Sequence, residues 1–141
     1  MPDPTLNEIE LAGTGVGDQA LGSQPGAGVL KTVDGGKTWT LSPGSVSALK
    51  GAQIGRVVVD KNNPNIAMVG VAKGGSSGPG VYRTADGGLT WANILDPAKM
   101  EFAAVNGGGF VGSGTPLPSV TDLVMDPNNS NRILIGLGNI G

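Results

Sequence analysis

Carboxylates are the side chains best suited to acid–base chemistry here, since the 141 residues include 11 Asp and Glu but no His and no Cys. Glycoside hydrolysis needs two carboxyl groups about 5 to 10 Å apart, one acting as acid and the other as base or nucleophile. Asp18, in a long connection, and Asp122, in an apolar run, are the candidate catalytic residues for such a pair. The alternative for each is a solvated carboxylate in a loop or at a strand end.

The missing residue types exclude several other chemistries. Without His there is no Ser-His-Asp triad or His-ligated metal, and without Cys there is no thiol catalysis, zinc-thiolate site or disulfide. A net charge of −2, with only two Trp, two Phe and one Tyr, argues against nucleic-acid binding. Asp60 and Asp126 open Asn-containing turns, but the Gly and Glu of a calcium loop are missing, which favours Asx-type turns. We therefore predict no metal, no cofactor and no nucleic-acid partner.

Two sequence patterns alternate along the chain. GVLKTVDGGKTW, from Gly28, aligns without a gap with GVYRTADGGLTW, from Gly80. The second pattern occurs three times, as DPTLNEIELAG from Asp3, DKNNPNIAMVG from Asp60 and DPNNSNRILIG from Asp126. Fixed alternation of this kind indicates a repeat protein. We place repeat unit one at about 1–54, unit two at about 55–119 and the start of unit three at about 120–141, together forming a partial propeller over 1–141.

Each unit reads as four short antiparallel strands. Short β-branched or apolar runs lie on both sides of the Asp-Asn turn, and Asp-Gly-Gly joins two further runs as a hairpin would. The predicted strands are 55–59, 66–71, 80–84, 89–95, 120–125 and 132–137, and no stretch has helical periodicity. Four-stranded units repeated in this way predict an all-β fold of β-propeller blades, about two blades plus the first hairpin of a third.

The Asp-Gly-Gly turns resemble the Asp-box, or BNR repeat, with the pattern Ser/Thr-x-Asp-x-Gly-x-Thr-Trp. The resemblance implies a turn between the third and fourth strands of a blade, in which the Asp accepts turn N–H groups and the Trp packs in the core. It covers most of the chain and identifies the following residues as structural: Thr32, Asp34, Gly36, Trp39, Thr84, Asp86, Gly88 and Trp91.

Proteins that carry this turn include sialidases, xyloglucan-active endoglucanases, sortilin-type receptors and a photosystem II assembly factor, so the resemblance implies a fold more than an activity. A non-catalytic recognition or scaffolding module, binding a glycan or a protein, is the first expectation, and a fragment of a glycoside hydrolase is the alternative. The sialidase version fits poorly. Sialidases use a Tyr nucleophile and a cluster of Arg residues around the substrate, which are expected in the loops, whereas Tyr82 and Arg83 fall on the strand before a turn. The resemblance also implies an extracellular or periplasmic location, although no signal peptide and no membrane span is visible.

The position of a binding surface follows from the same reasoning. Four long, dissimilar connections are expected on the face opposite the Asp-box turns, at 14–27, 42–53, 72–79 and 96–119. Unlike loops on a repeated scaffold are where binding surfaces are usually built. Because two blades and a hairpin leave open sheet edges, we also expect either the remaining blades of a longer chain or self-association.

Overall fold

The computed structural model describes residues 9–15, 25–74, 78–95 and 119–138. Antiparallel strands dominate these residues, which confirms the prediction of an all-β chain. The strands are β1 (Glu10–Gly13), β2 (Val29–Thr32), β3 (Thr40–Leu41), β4 (Ala52–Val59), β5 (Ala67–Gly74), β6 (Gly80–Thr84), β7 (Ala92–Leu95), β8 (Ser119–Asp126) and β9 (Asn129–Gly138), and a short helix α1 (Pro43–Ala48) lies between β3 and β4.

The strands form three separate antiparallel sheets in chain order. The first sheet has the strand order β1-β2-β3, the second β4-β5-β6-β7, and the third β8-β9. Within each sheet, each strand therefore pairs with the next strand in sequence, as short connections favour. The second sheet contains the four antiparallel strands that the sequence predicts for one unit.

The tight turns of the second sheet lie at one end of it. Ala67 pairs with Thr84, which brings the β4–β5 connection beside the β6–β7 connection. The amide of Gly87 in the later turn donates to the carbonyl of Asn65 in the earlier one at 3.0 Å. In the third sheet, the carbonyl of Pro127 lies 3.4 Å from Asn62 Nδ2. We call this side the turn end and the opposite side, where β4 begins and β5 finishes, the loop end.

The Asp-Asn connections are Asx-type turns, as their sequences predict. Asp60 Oδ1 accepts from the amide of Asn62 at 2.8 Å, and Asp126 Oδ1 accepts from the amide of Asn128 at 2.9 Å. A short side chain that bonds the backbone two residues later stabilises a turn without help from a ligand. The recurring Asp and Asn residues are therefore explained by local backbone geometry.

Strand β5 is buried on both of its faces, so the three sheets stack face to face. Ala67, Val69 and Val71 pack in a core cluster with Val29 of the first sheet. Met68, between them in sequence, packs in a second cluster that includes Val120 and Leu123 of the third sheet. Since successive side chains on a strand point to opposite faces, the middle sheet contributes to both cores.

Two local features differ from the sequence prediction. The strand expected at 89–95 begins only at Ala92, because the amide and hydroxyl of Thr90 bind Asp86 and hold this stretch in the turn. Helix α1 was not predicted, since its six residues are too few to show a helical period. Pro43 at its first turn suits a helix start. Within the described ranges, no helix is long and apolar enough to cross a membrane.

Candidate functional site

The first Asp-Gly-Gly turn is held by the carboxylate of Asp34. Its Oδ1 accepts from the Thr32 hydroxyl at 2.7 Å and from the Thr38 amide at 2.9 Å, and its Oδ2 accepts from the Thr38 hydroxyl at 2.6 Å. The Thr32 hydroxyl in turn accepts from the amide of Gly36 at 2.9 Å. Both carboxylate oxygens thus bind groups of the turn itself.

The second turn repeats this network at Asp86. Oδ1 accepts from the Thr84 hydroxyl at 2.8 Å and from the Thr90 amide at 2.9 Å, and Oδ2 accepts from the Thr90 hydroxyl at 2.6 Å. The amide of Gly88 donates to the Thr84 hydroxyl at 2.9 Å. The threonines two residues before and four residues after each Asp therefore have the same task in both copies.

These hydrogen bonds lower the pKa of each turn carboxyl, whereas a general acid near neutral pH needs a raised pKa. The Thr38 hydroxyl and amide, then the Thr32 hydroxyl, lower the pKa of Asp34 from 3.8 to about 2. The corresponding groups of Thr90 and Thr84 lower the pKa of Asp86 from 3.8 to about 2. Donors to a carboxylate favour its charged form. Neither residue is suited to give a proton to a leaving group near neutral pH.

The glycine pair of each turn has a left-handed backbone. In the second turn φ is 71° at Gly87 and 91° at Gly88, and in the first it is 69° at Gly35 and 84° at Gly36. Side chains with a Cβ rarely adopt these angles, whereas glycine does so without a steric cost. A Cβ at Gly88 would also collide with the hydroxyl of Ser42. Gly88 is therefore required for two reasons, its left-handed backbone angle and the lack of space for a Cβ.

The two tryptophans that follow the turns have different surroundings. Trp39 is 40% exposed, and its indole N–H donates to the carbonyl of Gly36 at 3.1 Å. Trp91 is 8% exposed, and its indole N–H donates instead to Ser42 Oγ at 3.0 Å. The Ser42 hydroxyl then donates to the carbonyl of Gly88 at 2.6 Å. The expectation that both rings lie in the core thus describes Trp91, while Trp39 is partly open.

The first sheet also holds the second turn through a charged group. Lys31 Nζ donates to the carbonyl of Gly87 at 2.8 Å, and the amide of Gly44 donates to the carbonyl of Gly88 at 3.1 Å. The start of the 42–53 connection therefore contacts the turn end, whereas we expected the whole connection on the opposite side. Only its later part reaches the loop end, where the amide of Gly51 bonds Gly26.

Of the two candidate catalytic residues, Asp122 is the one that the structure describes. Asp122 lies on β8, where its carboxylate forms an ion pair with Arg56 Nε of β4 at 2.9 Å and accepts from the Leu123 amide at 2.8 Å. Both side chains are about half exposed. Asp18 lies outside the described residues, so the pair proposed from the sequence stays a prediction. In the part of the chain that the structure describes, no three acidic side chains group as metal ligands would.

Sequence reasoning missed Ser42 and Lys31. Both contact a turn about 50 residues later, and no local spacing rule connects them with it. The alignment of Lys31 with Arg83 was the one available signal, because a basic residue occupies the same place in both copies. Comparison with models of known protein families finds no match. Comparison with curated proteins finds none either.

Proposed function

We propose that this chain is part of an Asp-box β-propeller and acts as a recognition or scaffolding module, binding a glycan or a protein without catalysing a reaction. The observation that carries the proposal is the use of Asp34 and Asp86. All four of their carboxylate oxygens accept hydrogen bonds from their own turns. The most conspicuous acids in the sequence thus maintain turn geometry, which supports a scaffold.

Stacking of the sheets supports a propeller arrangement. Neighbouring sheets bury apolar faces against each other, and the described tight turns of the second and third sheets meet at one end. Successive four-stranded sheets packed face to face are the building principle of a propeller. The hydrogen bond from Trp91 to Ser42 adds a polar contact between the first two sheets.

The loop end is the binding surface in this proposal. Lys50 and Lys73 are exposed there, next to connections that differ from one unit to the next. A binding module with an exposed loop surface is also in keeping with the extracellular or periplasmic location that the Asp-box resemblance implies. The turn end offers less, since its Asp and Asn side chains bind local backbone groups.

The hydrolase alternative has less support from the described residues. An acid catalyst of a glycosidase is usually held protonated by an apolar or acidic neighbourhood. Asp122 instead is half exposed and lies 2.9 Å from the guanidinium of Arg56, so its surroundings are neither apolar nor acidic. Its arrangement is that of an ion pair between two sheets.

Binding measurements on a glycan array and by calorimetry with soluble polysaccharides test the proposal. We expect binding without turnover, and at least a tenfold loss of affinity in the Lys50→Ala/Lys73→Ala variant. The matched control is Lys37→Ala/Lys61→Ala, which removes two exposed lysines at the turn end. Equal losses in both variants would contradict a loop-end site. Glycoside turnover that disappears in Asp122→Asn would replace the proposal with the hydrolase alternative.

A further inference from the structure

Arg83 carries a buried donor that finds no acceptor among the described residues. Its Nε is buried and has no hydrogen-bond partner within the residues that the structure describes. A buried N–H without an acceptor is costly, and native proteins rarely leave one unpaired. The position therefore calls for an acceptor that these residues do not supply.

Lys31 shows what kind of acceptor belongs there. It precedes the first turn as Arg83 precedes the second, in the aligned stretches that begin at Gly28 and Gly80. Lys31 Nζ donates to the carbonyl of Gly87, which is the first glycine of the turn in the following sheet. The equivalent acceptor for Arg83 is the first glycine of a third Asp-Gly-Gly turn.

Strand geometry directs Arg83 toward the third sheet. On β6, Val81 packs in the cluster shared with the third sheet, and Tyr82 packs in the cluster shared with the first. Because side chains alternate along a strand, Arg83 lies on the same face as Val81. Lys31 similarly shares its face with Val29, which packs against the second sheet.

Within the described ranges, one edge of β9 in the third sheet is open. Strand β9 pairs with β8 on one edge, and no described strand pairs with its other edge. In the second sheet, the corresponding strand β5 pairs with β6 along the equivalent edge. A hairpin on this edge of β9 would therefore occupy the place that β6 and β7 take in the second sheet.

We propose that Arg83 binds the first-glycine carbonyl of a third Asp-Gly-Gly turn, carried by a hairpin that pairs with the free edge of β9. This inference rests on the repeated scaffold of the proposed function and names the partner of one of its surfaces. The occupant is a hairpin of the type formed by residues 80–95, because the interface would continue the one that Lys31 already makes. A guanidinium suits this role, since it can donate to the carbonyl through several N–H groups.

An extended chain provides the test: residues 75–95 are added once more after Ile140. We expect the midpoint of thermal unfolding to rise by at least about 4 °C over that of the unextended chain. Arg83→Met should remove most of this rise, and Arg83→Lys should keep it, because lysine performs the same task at position 31. In the unextended chain, Arg83→Met should not lower the midpoint, because there it removes a buried donor that has no acceptor among the described residues.

Arg132→Met is the matched control, since Arg132 is exposed and pairs with Asp126 at 3.3 Å at the turn end. Its effect should be the same in the extended and unextended chains. Exchange of the Arg83 Nε–H with solvent, followed by NMR, should slow at least tenfold on extension. A rise that Arg83→Met leaves intact would overturn the role of Arg83 but not the repeat arrangement.

Two further outcomes would overturn the proposal in other ways. If the extended chain has no higher midpoint of thermal unfolding than the unextended chain, the hairpin does not dock on β9. Binding at the loop end is tested separately by the lysine variants. If exchange at Arg83 slows in the unextended chain as its concentration and its dimer fraction rise, a second copy is the occupant instead.

Discussion

The indole N–H of Trp91 donates to the hydroxyl of Ser42 at 3.0 Å, and this contact joins the second sheet to the first across 49 residues of sequence. The same hydroxyl donates to the carbonyl of Gly88. Ser42 thus completes in the second turn the bond that Trp39 makes directly to Gly36 in the first. The two turns have one internal network but two different ways of fixing the tryptophan.

Ser42→Ala should destabilise the chain more than its single lost hydroxyl suggests. The residue is 1% exposed, and the substitution leaves both the Trp91 N–H and the Gly88 carbonyl without this partner. A buried group left unsatisfied costs about 1–3 kcal/mol. Urea unfolding followed by circular dichroism measures the loss.

Ser47→Ala is the control for this change. Ser47 lies on α1, is exposed, and donates only to the carbonyl of Gly44 at 3.2 Å. Exposed substitutions of this kind usually change the free energy of unfolding by about 0.5 kcal/mol or less. Equal effects at positions 42 and 47 would show that the contact between the sheets contributes nothing.

The two tryptophans should respond differently to truncation. Trp91→Ala removes a ring that is 8% exposed from the core between the first two sheets, and a loss of about 3–5 kcal/mol is expected. Trp39→Ala removes a ring that is 40% exposed, and we expect less than about half of that loss. Unfolding in urea gives both values. Similar losses would contradict the asymmetry of the two turns.

Fluorescence offers an independent check on the same asymmetry. With Trp39→Phe, the remaining emission comes from Trp91, which should be blue-shifted and poorly quenched by iodide. With Trp91→Phe, the emission from Trp39 should lie further to the red and be quenched readily. The reverse order would mean that Trp39 is the more buried of the two rings.

The geometry within each turn could be predicted from the sequence, because it depends on residues two to four positions apart. Thr32, Asp34 and Thr38 recur at equal spacing as Thr84, Asp86 and Thr90, and equal spacing gives equal hydrogen bonds. The all-β fold was predictable for a related reason, since strand runs and turn residues alternate at short range.

Contacts between sheets could not be predicted in this way. Ser42 follows a two-residue strand and precedes a six-residue helix, and neither element has a period that indicates its partner. The burial of Trp91 depends on the segment around Ser42, which follows the first sheet. The alignment of Trp91 with Trp39 therefore could not predict that the two rings differ in exposure. Pairing over 49 residues is decided by packing and not by local pattern.

Gly70→Ala should overpack the interface between the second and third sheets. A Cβ at this position would lie 2.7 Å from Val120 Cγ1, in a core that has little space to relax. Overpacking of this kind typically costs about 1–3 kcal/mol. Gly55→Ala is the matched control on β4, because its added Cβ would meet other atoms only at 3.8 Å and beyond. Thermal unfolding of both variants gives the comparison, and an unchanged midpoint in Gly70→Ala would contradict the close packing.

The chain should become less stable in acid, because the carboxylates of the two Asp-Gly-Gly turns become protonated there. The pKa of Asp34 and that of Asp86 are each lowered from 3.8 to about 2 in the folded chain, chiefly by the Thr38 and Thr90 hydroxyls. Between these values the unfolded chain binds more protons than the folded one, so stability rises with pH in this window. The contribution of both groups is therefore complete above about pH 4 and is lost as the pH falls toward about 2.

Urea unfolding between pH 5 and pH 2 tests this dependence. The Asp34→Asn/Asp86→Asn variant should be less stable than the parent at pH 5, and the difference should shrink as the pH approaches 2, because the parent loses its carboxylates there. Glu10→Gln removes one exposed carboxyl outside both turns and serves as the control for the change of charge. A constant difference between parent and double variant across this range would show that the stabilisation does not come from the ionised form.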